Sequence, residues 1–180
     1  MARVVEVRVV WHGEALPLCP AVFRDIHIGP EPGYPFGRKG LALAGAWRQL
    51  GDGADGMLIL DGDVAIDPAD LLTMRRAIDA EPGAVHTAPA RIWPKSARRP
   101  DWTWAHWSEA GPSQQLEVDG VRWFSFCFTY LPRYLLTSLC RSGLAGWQFP
   151  CVDGSVSRRA QRLGVPVRVV ADCWPVHLHY

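Results

Sequence analysis

Asp61 and Asp63 stand two residues apart in LILDGDVAIDP, residues 58–68, where an apolar run gives way to a helix-start signal. Met57 to Leu60 read as a short buried strand. Asp67 followed by Pro68 reads as an N-cap with proline in the first helical position. The two acids are thereby expected at the carboxyl end of a strand, the edge of an open α/β sheet where ligands bind. Carboxylates crowded there repel one another unless a cation or a positively charged ligand lies between them, so binding of a hard metal is the first chemistry this pattern calls for. Further along, His177 and His179 are two residues apart, a spacing that puts both on one face of a strand. Trp102, Trp104 and Trp107 alternate with Asp101, His106 and Glu109, and offer flat apolar faces on which sugar rings stack, with polar groups at the rims. An aromatic mini-core pinning a long loop is the plainer use of the same residues.

The elements that must position these groups emerge from the pattern of apolar residues. Val4 to Trp11 alternate Val with Glu6 and Arg8 and predict a first strand. IGPEPGYPFGRKG is punctuated by Pro and Gly and predicts irregular structure over most of residues 29 to 40. Leu43, Trp47 and Leu50 share helical spacing, which predicts a helix from Leu41 closed by Gly51. The acidic strand and turn come next, then a helix from Pro68 to about Ala80. Ala84 to Ala88 predict a short strand, followed by the long Trp-rich excursion. Leu116 to Val118 and Val121 to Tyr130 are expected to pair across the turn at Asp119-Gly120. Pro132 to Cys140 predict a helix. Asp153 starts another that Gly164 ends, and Val165 to Val170 form a strand.

A chain of 180 residues, 48% hydrophobic and 21% charged, is expected to form one domain with a real core. The formal net charge of +1 argues against a broad nucleic-acid footprint. Five cysteines, far apart and without CxxC spacing, predict neither a disulfide framework nor a zinc site. No apolar run is long enough for a bilayer and the N-terminus lacks a signal peptide's apolar core, so a soluble, cytoplasmic protein is expected.

Two readings of the acidic turn meet obstacles. A calcium loop of EF-hand type starting at Asp61 would need Gly where Ile66 stands and Glu where Leu72 stands. A haloacid-dehalogenase phosphatase would carry its Asp-x-Asp on the first strand, with a later acidic pair for magnesium. A third reading joins more of the chain. GRKGLALAGAW at 37–47, LILDGDVAIDPADLLTM at 58–74, VDGSVSRRAQRLGVPVRVV from Val152 and VHLH at 176–179 occur in order, and together they resemble the family 2-like glycosyltransferases of the GT-A fold.

That resemblance implies a single GT-A-like, Rossmann-like α/β domain with a mixed, mostly parallel central sheet. It implies a metal-dependent transfer of sugar from a nucleotide-sugar donor to the hydroxyl of a carbohydrate, protein or small-molecule acceptor. In that scheme Asp63 binds Mn²⁺ or Mg²⁺ with His177 or His179, and imidazole favours manganese. Asp61 contacts sugar or ribose, Arg38 and Lys39 add positive charge near the diphosphate, and Asp25 takes the base-reading place. Asp153 matches the acid that in inverting members is the general base, with a pKa kept low by the helix dipole, and Trp102, Trp104 and Trp107 form the acceptor platform. The chain departs from the family in having one acid at Val152-Asp153-Gly154, where a Glu-Asp pair is common, and in its short first half. A noncatalytic carbohydrate-binding protein with the same core is the alternative from another class.

Overall fold

The computed structural model describes residues 1–11, 22–28, 35–89, 91–92, 103–104, 118–143 and 152–177, and of Trp11, residues 35–38, 91–92, 103–104 and His177 only the backbone. Gly56–Asp61 forms β3, the strand that carries the first acid. Met57, Leu58, Ile59 and Leu60 are all fully buried, each worth roughly 1.5–3 kcal/mol of transfer free energy. A strand covered on both faces reads as a continuous apolar run, which is why this one stands out in the sequence.

β3 lies inside a six-stranded sheet ordered β2-β1-β3-β8-β5-β9, built from β1 (Val4–Trp11), β2 (Arg24–Ile28), β5 (Val85–Thr87), β8 (Phe128–Pro132) and β9 (Val167–Val169). β8 alone runs against its neighbours, so the sheet is mixed and mostly parallel, as expected. Alternation along β3 sorts the core into two layers. Met57 and Ile59 pack with Leu43 and Trp47 of α1 (Pro35–Leu50), Leu135 and Leu139 of α3 (Arg133–Arg141), and Val152 and Val156 of α4 (Val152–Arg162). Leu58 and Leu60 pack on the other face with Met74 and Ile78 of α2 (Pro68–Ala80).

Two short ribbons complete the described elements. β4 (Val64–Ala65) pairs antiparallel with β10 (Val176–His177), and β6 (Arg91–Ile92) with β7 (Thr103–Trp104). The first matters for the site. Asp67 caps α2 by accepting the Asp70 amide at 2.8 Å, and Asp70 in turn accepts the Trp174 amide at 2.8 Å. Cys173, fully buried, inserts into the core layer under α2. The start of α2 thus ties down the segment that leads into β10.

The structure corrects the sequence reading at several points. α1 begins at Pro35, not Leu41, even though Gly37 and Gly40 fall inside it. Proline is suited to the first helical position, and burial of Lys39, Gly40, Leu43, Ala44 and Trp47 outweighs the propensity cost of glycine. The expected long strand from Val121 is only Phe128–Pro132, which pairs with β3 and β5; most of its expected hairpin partner, Leu116 to Val118, lies outside the described residues. Gly120 does take the positive φ of a turn, 68°. The preceding segment is drawn inward instead, with Phe124 and Phe126 buried against α1 and α4, because two large aromatic side chains gain more from the core than from a surface ribbon. Asp25, expected in the base-reading place, lies on β2, which is paired in parallel with β1.

Candidate functional site

Asp61 is the last residue of β3, and it continues the alternation of Met57 and Ile59. Its side chain therefore faces the layer of α1, α3 and α4. There it meets Lys39 from the early part of α1, Nζ lying 2.5 Å from Asp61 Oδ1. Asp61 Oδ1 is buried, and the ammonium beside it compensates its charge. Both side chains are largely withdrawn from water, 6% exposed for Lys39 and 15% for Asp61. The ammonium also lies 5.3 Å from the centre of the Phe126 ring, within cation–π range.

α4 brings the third charged group. Asp153 sits in its first turn and accepts the Phe126 amide at 3.4 Å, while Ser157, one turn on, accepts the Phe124 amide at 3.3 Å. The two residues clamp the 124–126 backbone between α4 and the end of the sheet. Burial raises the Asp153 carboxyl above the ordinary aspartate range; Lys39 pulls it back, and Asp61 adds to the rise. The expectation of a lowered value is thus corrected, because loss of solvation at this depth exceeds the pull of the helix terminus. Burial alone would lower the Lys39 ammonium, but the fields of Asp61 and Asp153 outweigh it and raise the ammonium above its usual value. Cys127 is buried beside the same acids and its thiol is pushed up to about 12, which keeps it protonated and inert as a nucleophile.

The remaining expected residues are spread over both faces of the sheet. Asp63 lies in the turn directly before β4, and the pairing of His177 with Val64 sets the backbone of that histidine beside the turn. Asp25 is held by Arg8 through two 2.8 Å contacts, Nε to Oδ1 and Nη2 to Oδ2. Arg8 and Glu6 are two apart on β1, and Glu6 pairs with Arg75 of α2, so Asp25 lies on the α2 face, across the sheet from Asp61. Arg38 falls on α1 and Trp104 on β7, backbone only. His179, Trp102 and Trp107 lie outside the described residues. Among the described residues no group of three or more His, Cys, Asp or Glu side chains is arranged to hold a metal ion.

Sequence reasoning places Lys39 near phosphates and misses it as the buried partner of Asp61. A signal is present: Lys39, Leu43 and Trp47 repeat every four residues, so the lysine lies on the apolar stripe of α1. Phe126, which joins Lys39 and Asp153 through its ring and its amide, leaves no such trace. The crowding of acids that calls for a metal is met in part by this lysine.

By sequence, the chain matches no protein family model and no curated protein. By structure it is similar to A197 from STIV, with a TM-score of 0.67 over 99% of this chain and 86% of that one, at 12% identity. The likeness to A197 is one of fold. Two further matches are a glycosyltransferase involved in the glycosylation of the major capsid of PBCV-1, at TM-score 0.49, 12% identity and 97% and 95% coverage of this chain and that one, and CMP:2-keto-3-deoxy-manno-octonic acid synthetase complexed with CTP, at 0.48, 13%, and 93% and 89%. Scores at that level carry no argument about this chain. Among the described residues no helix is long and apolar enough to cross a membrane.

Proposed function

We propose that this chain is a glycosyltransferase that moves a sugar from a nucleotide-sugar donor to an acceptor hydroxyl with inversion at the anomeric carbon. The observation that carries the reading is the meeting of Asp61, Lys39 and Asp153, from three separate segments, at the carboxyl end of the central strand. Asp153 takes the proton of the acceptor hydroxyl; the freed oxygen forms its bond to the anomeric carbon as the bond to the diphosphate breaks, and that electron pair leaves on the diphosphate. A base whose pKa is raised toward working pH suits this role. Asp61 orients the sugar or ribose.

The donor set fits a divalent ion in its chemistry: Asp63 precedes β4, whose Val64 pairs with His177, and a carboxylate with an imidazole of His177 or His179 would make hard and borderline ligands suited to Mn²⁺. Such an ion would supply charge neutralisation to the departing diphosphate. The Trp-rich segment would serve the acceptor.

The test is thermal unfolding with UDP, GDP, CDP and dTDP, each with and without Mn²⁺. Saturation at about a hundred times Kd stabilises by about 2.7 kcal/mol, a rise of roughly 5–10 °C for a chain of this size. A metal-dependent rise with one nucleotide, lost in Asp63→Ala, is expected. Asp153→Asn is expected to keep that rise while transfer falls about 10²- to 10⁴-fold, and to unfold at a higher temperature than the unsubstituted protein because a buried charge is gone. No rise with any nucleotide overturns the reading, and glycan binding that survives Asp63→Ala would establish the noncatalytic alternative.

A further inference from the structure

Lysine is seldom buried, and Lys39 is 5% exposed. Its ammonium lies 2.5 Å from Asp61 Oδ1 and 5.3 Å from the centre of the Phe126 ring, and the amide of the same Phe126 donates to Asp153, which brings that carboxylate near the cation without a direct ion pair. None of these comes from α1 itself. Three separate chain segments, the end of β3, the 124–127 stretch and the first turn of α4, converge on one cation. Lys39 is therefore paired with one acid and joined to a second through Phe126, and it is too deep to act as a surface clamp on phosphate.

We propose that Lys39 is a positioning residue, an internal cation that holds the carboxylates of Asp61 and Asp153 together as one charged unit below the end of β3. Its consequence for transfer rests on the base role of Asp153 given above; the coupling itself does not. Burial and the charge of Asp61 both favour the protonated form of Asp153; Lys39 opposes them most strongly, helped by the Phe126 amide and the backbone amide of Asp153 itself. The other titratable neighbour, Cys127, stays neutral. Lys39 thus favours the carboxylate form that its depth works against. A donor group that engages Asp61 acts on Asp153 through the shared cation, which links occupancy of the donor side to the readiness of the base.

The experiment is a ¹³C-carboxyl NMR titration of Asp153 in the ligand-free protein, in the unsubstituted chain and in Lys39→Met, Lys39→Arg and Asp61→Asn. Loss of the cation is expected to move the Asp153 midpoint up by about one pH unit or more. Lys39→Arg, which keeps the charge, should move it less, and Asp61→Asn should move it down. A residue that served only to fill space would leave the midpoint where it was. If Lys39→Met does not fold, Lys39→Gln takes its place as the variant that removes the charge. An unchanged Asp153 midpoint in the folded charge-removing variant overturns the proposal. No nucleotide is needed, so failure here is distinct from failure of the transferase reading, which the nucleotide panel decides.

Discussion

Replacing Lys39 by Met removes a charge while keeping a side chain of similar length, so the change in stability reports the electrostatics of the pair. At 2.5 Å and an effective dielectric of about 20, the attraction between Lys39 and Asp61 is about 7 kcal/mol. Part of that is offset because Met, unlike an ammonium, is not penalised for leaving water. The partner left behind is not relieved in this way: Asp61 is 15% exposed and has lost its cation. Breaking one side of a buried pair costs about 3–5 kcal/mol, a large share of the about 5–15 kcal/mol that holds a domain folded. With a urea slope near about 2 kcal/mol/M, the midpoint falls by roughly 1.5–2.5 M. Urea unfolding at pH 7, monitored by far-UV circular dichroism, measures this directly. The double variant Lys39→Met/Asp61→Asn should recover more than half of the loss, because it removes the stranded charge as well. A single variant within about 1 kcal/mol of the unsubstituted protein, or a double variant that loses the sum of the two singles, would refute the argument that the pair is buried and coupled.

Three other outcomes are expected from groups away from the site. His86 is buried, with Nε2 2.8 Å from the Glu81 carbonyl, and burial lowers its pKa below the usual histidine value. The unfolded chain then binds the proton more readily, so the stability His86 contributes is present above about pH 6.5 and is lost as pH falls toward its lower folded value; urea midpoints at pH 7.5 and 5.5 should differ less in His86→Leu. Gly56→Ala places a Cβ against the Tyr130 ring, whose hydroxyl shares its one proton between the Asp55 and Pro82 carbonyls at 3.1 and 3.0 Å, and should cost about 1–3 kcal/mol by overpacking. Asp70→Ala removes the acceptor of the Trp174 amide together with a capping contact, and should cost about 1 kcal/mol in stability and speed hydrogen exchange at Trp174.

Several elements are legible in the sequence because their signals are local. β3 shows itself by an unbroken apolar run, since it is covered on both faces, and α2 by its Asp-Pro start, since a cap depends on neighbours in the chain. Gly164 ends α4 at a φ of 64°, as its position predicts. α1 reads six residues short because glycine and proline argue locally against a helix that burial sustains. The strand after Gly120 is placed wrongly because its β propensity is real but its partners, β3 and β5, are distant in sequence.

The sequence by itself determined the α/β class, the order of most elements and the placing of Asp61 at a strand end, because periodicity and capping are properties of short segments. It brought forward Asp153 only through resemblance. Tertiary structure decided the electrostatics: which face each acid takes, that Asp25 lies across the sheet with Arg8, that Asp153 is raised and not lowered, and that Lys39 is paired with one acid and joined to a second through Phe126. A side chain's charge is written in the sequence, but its solvation and its partners are set by segments that meet only when the chain is folded.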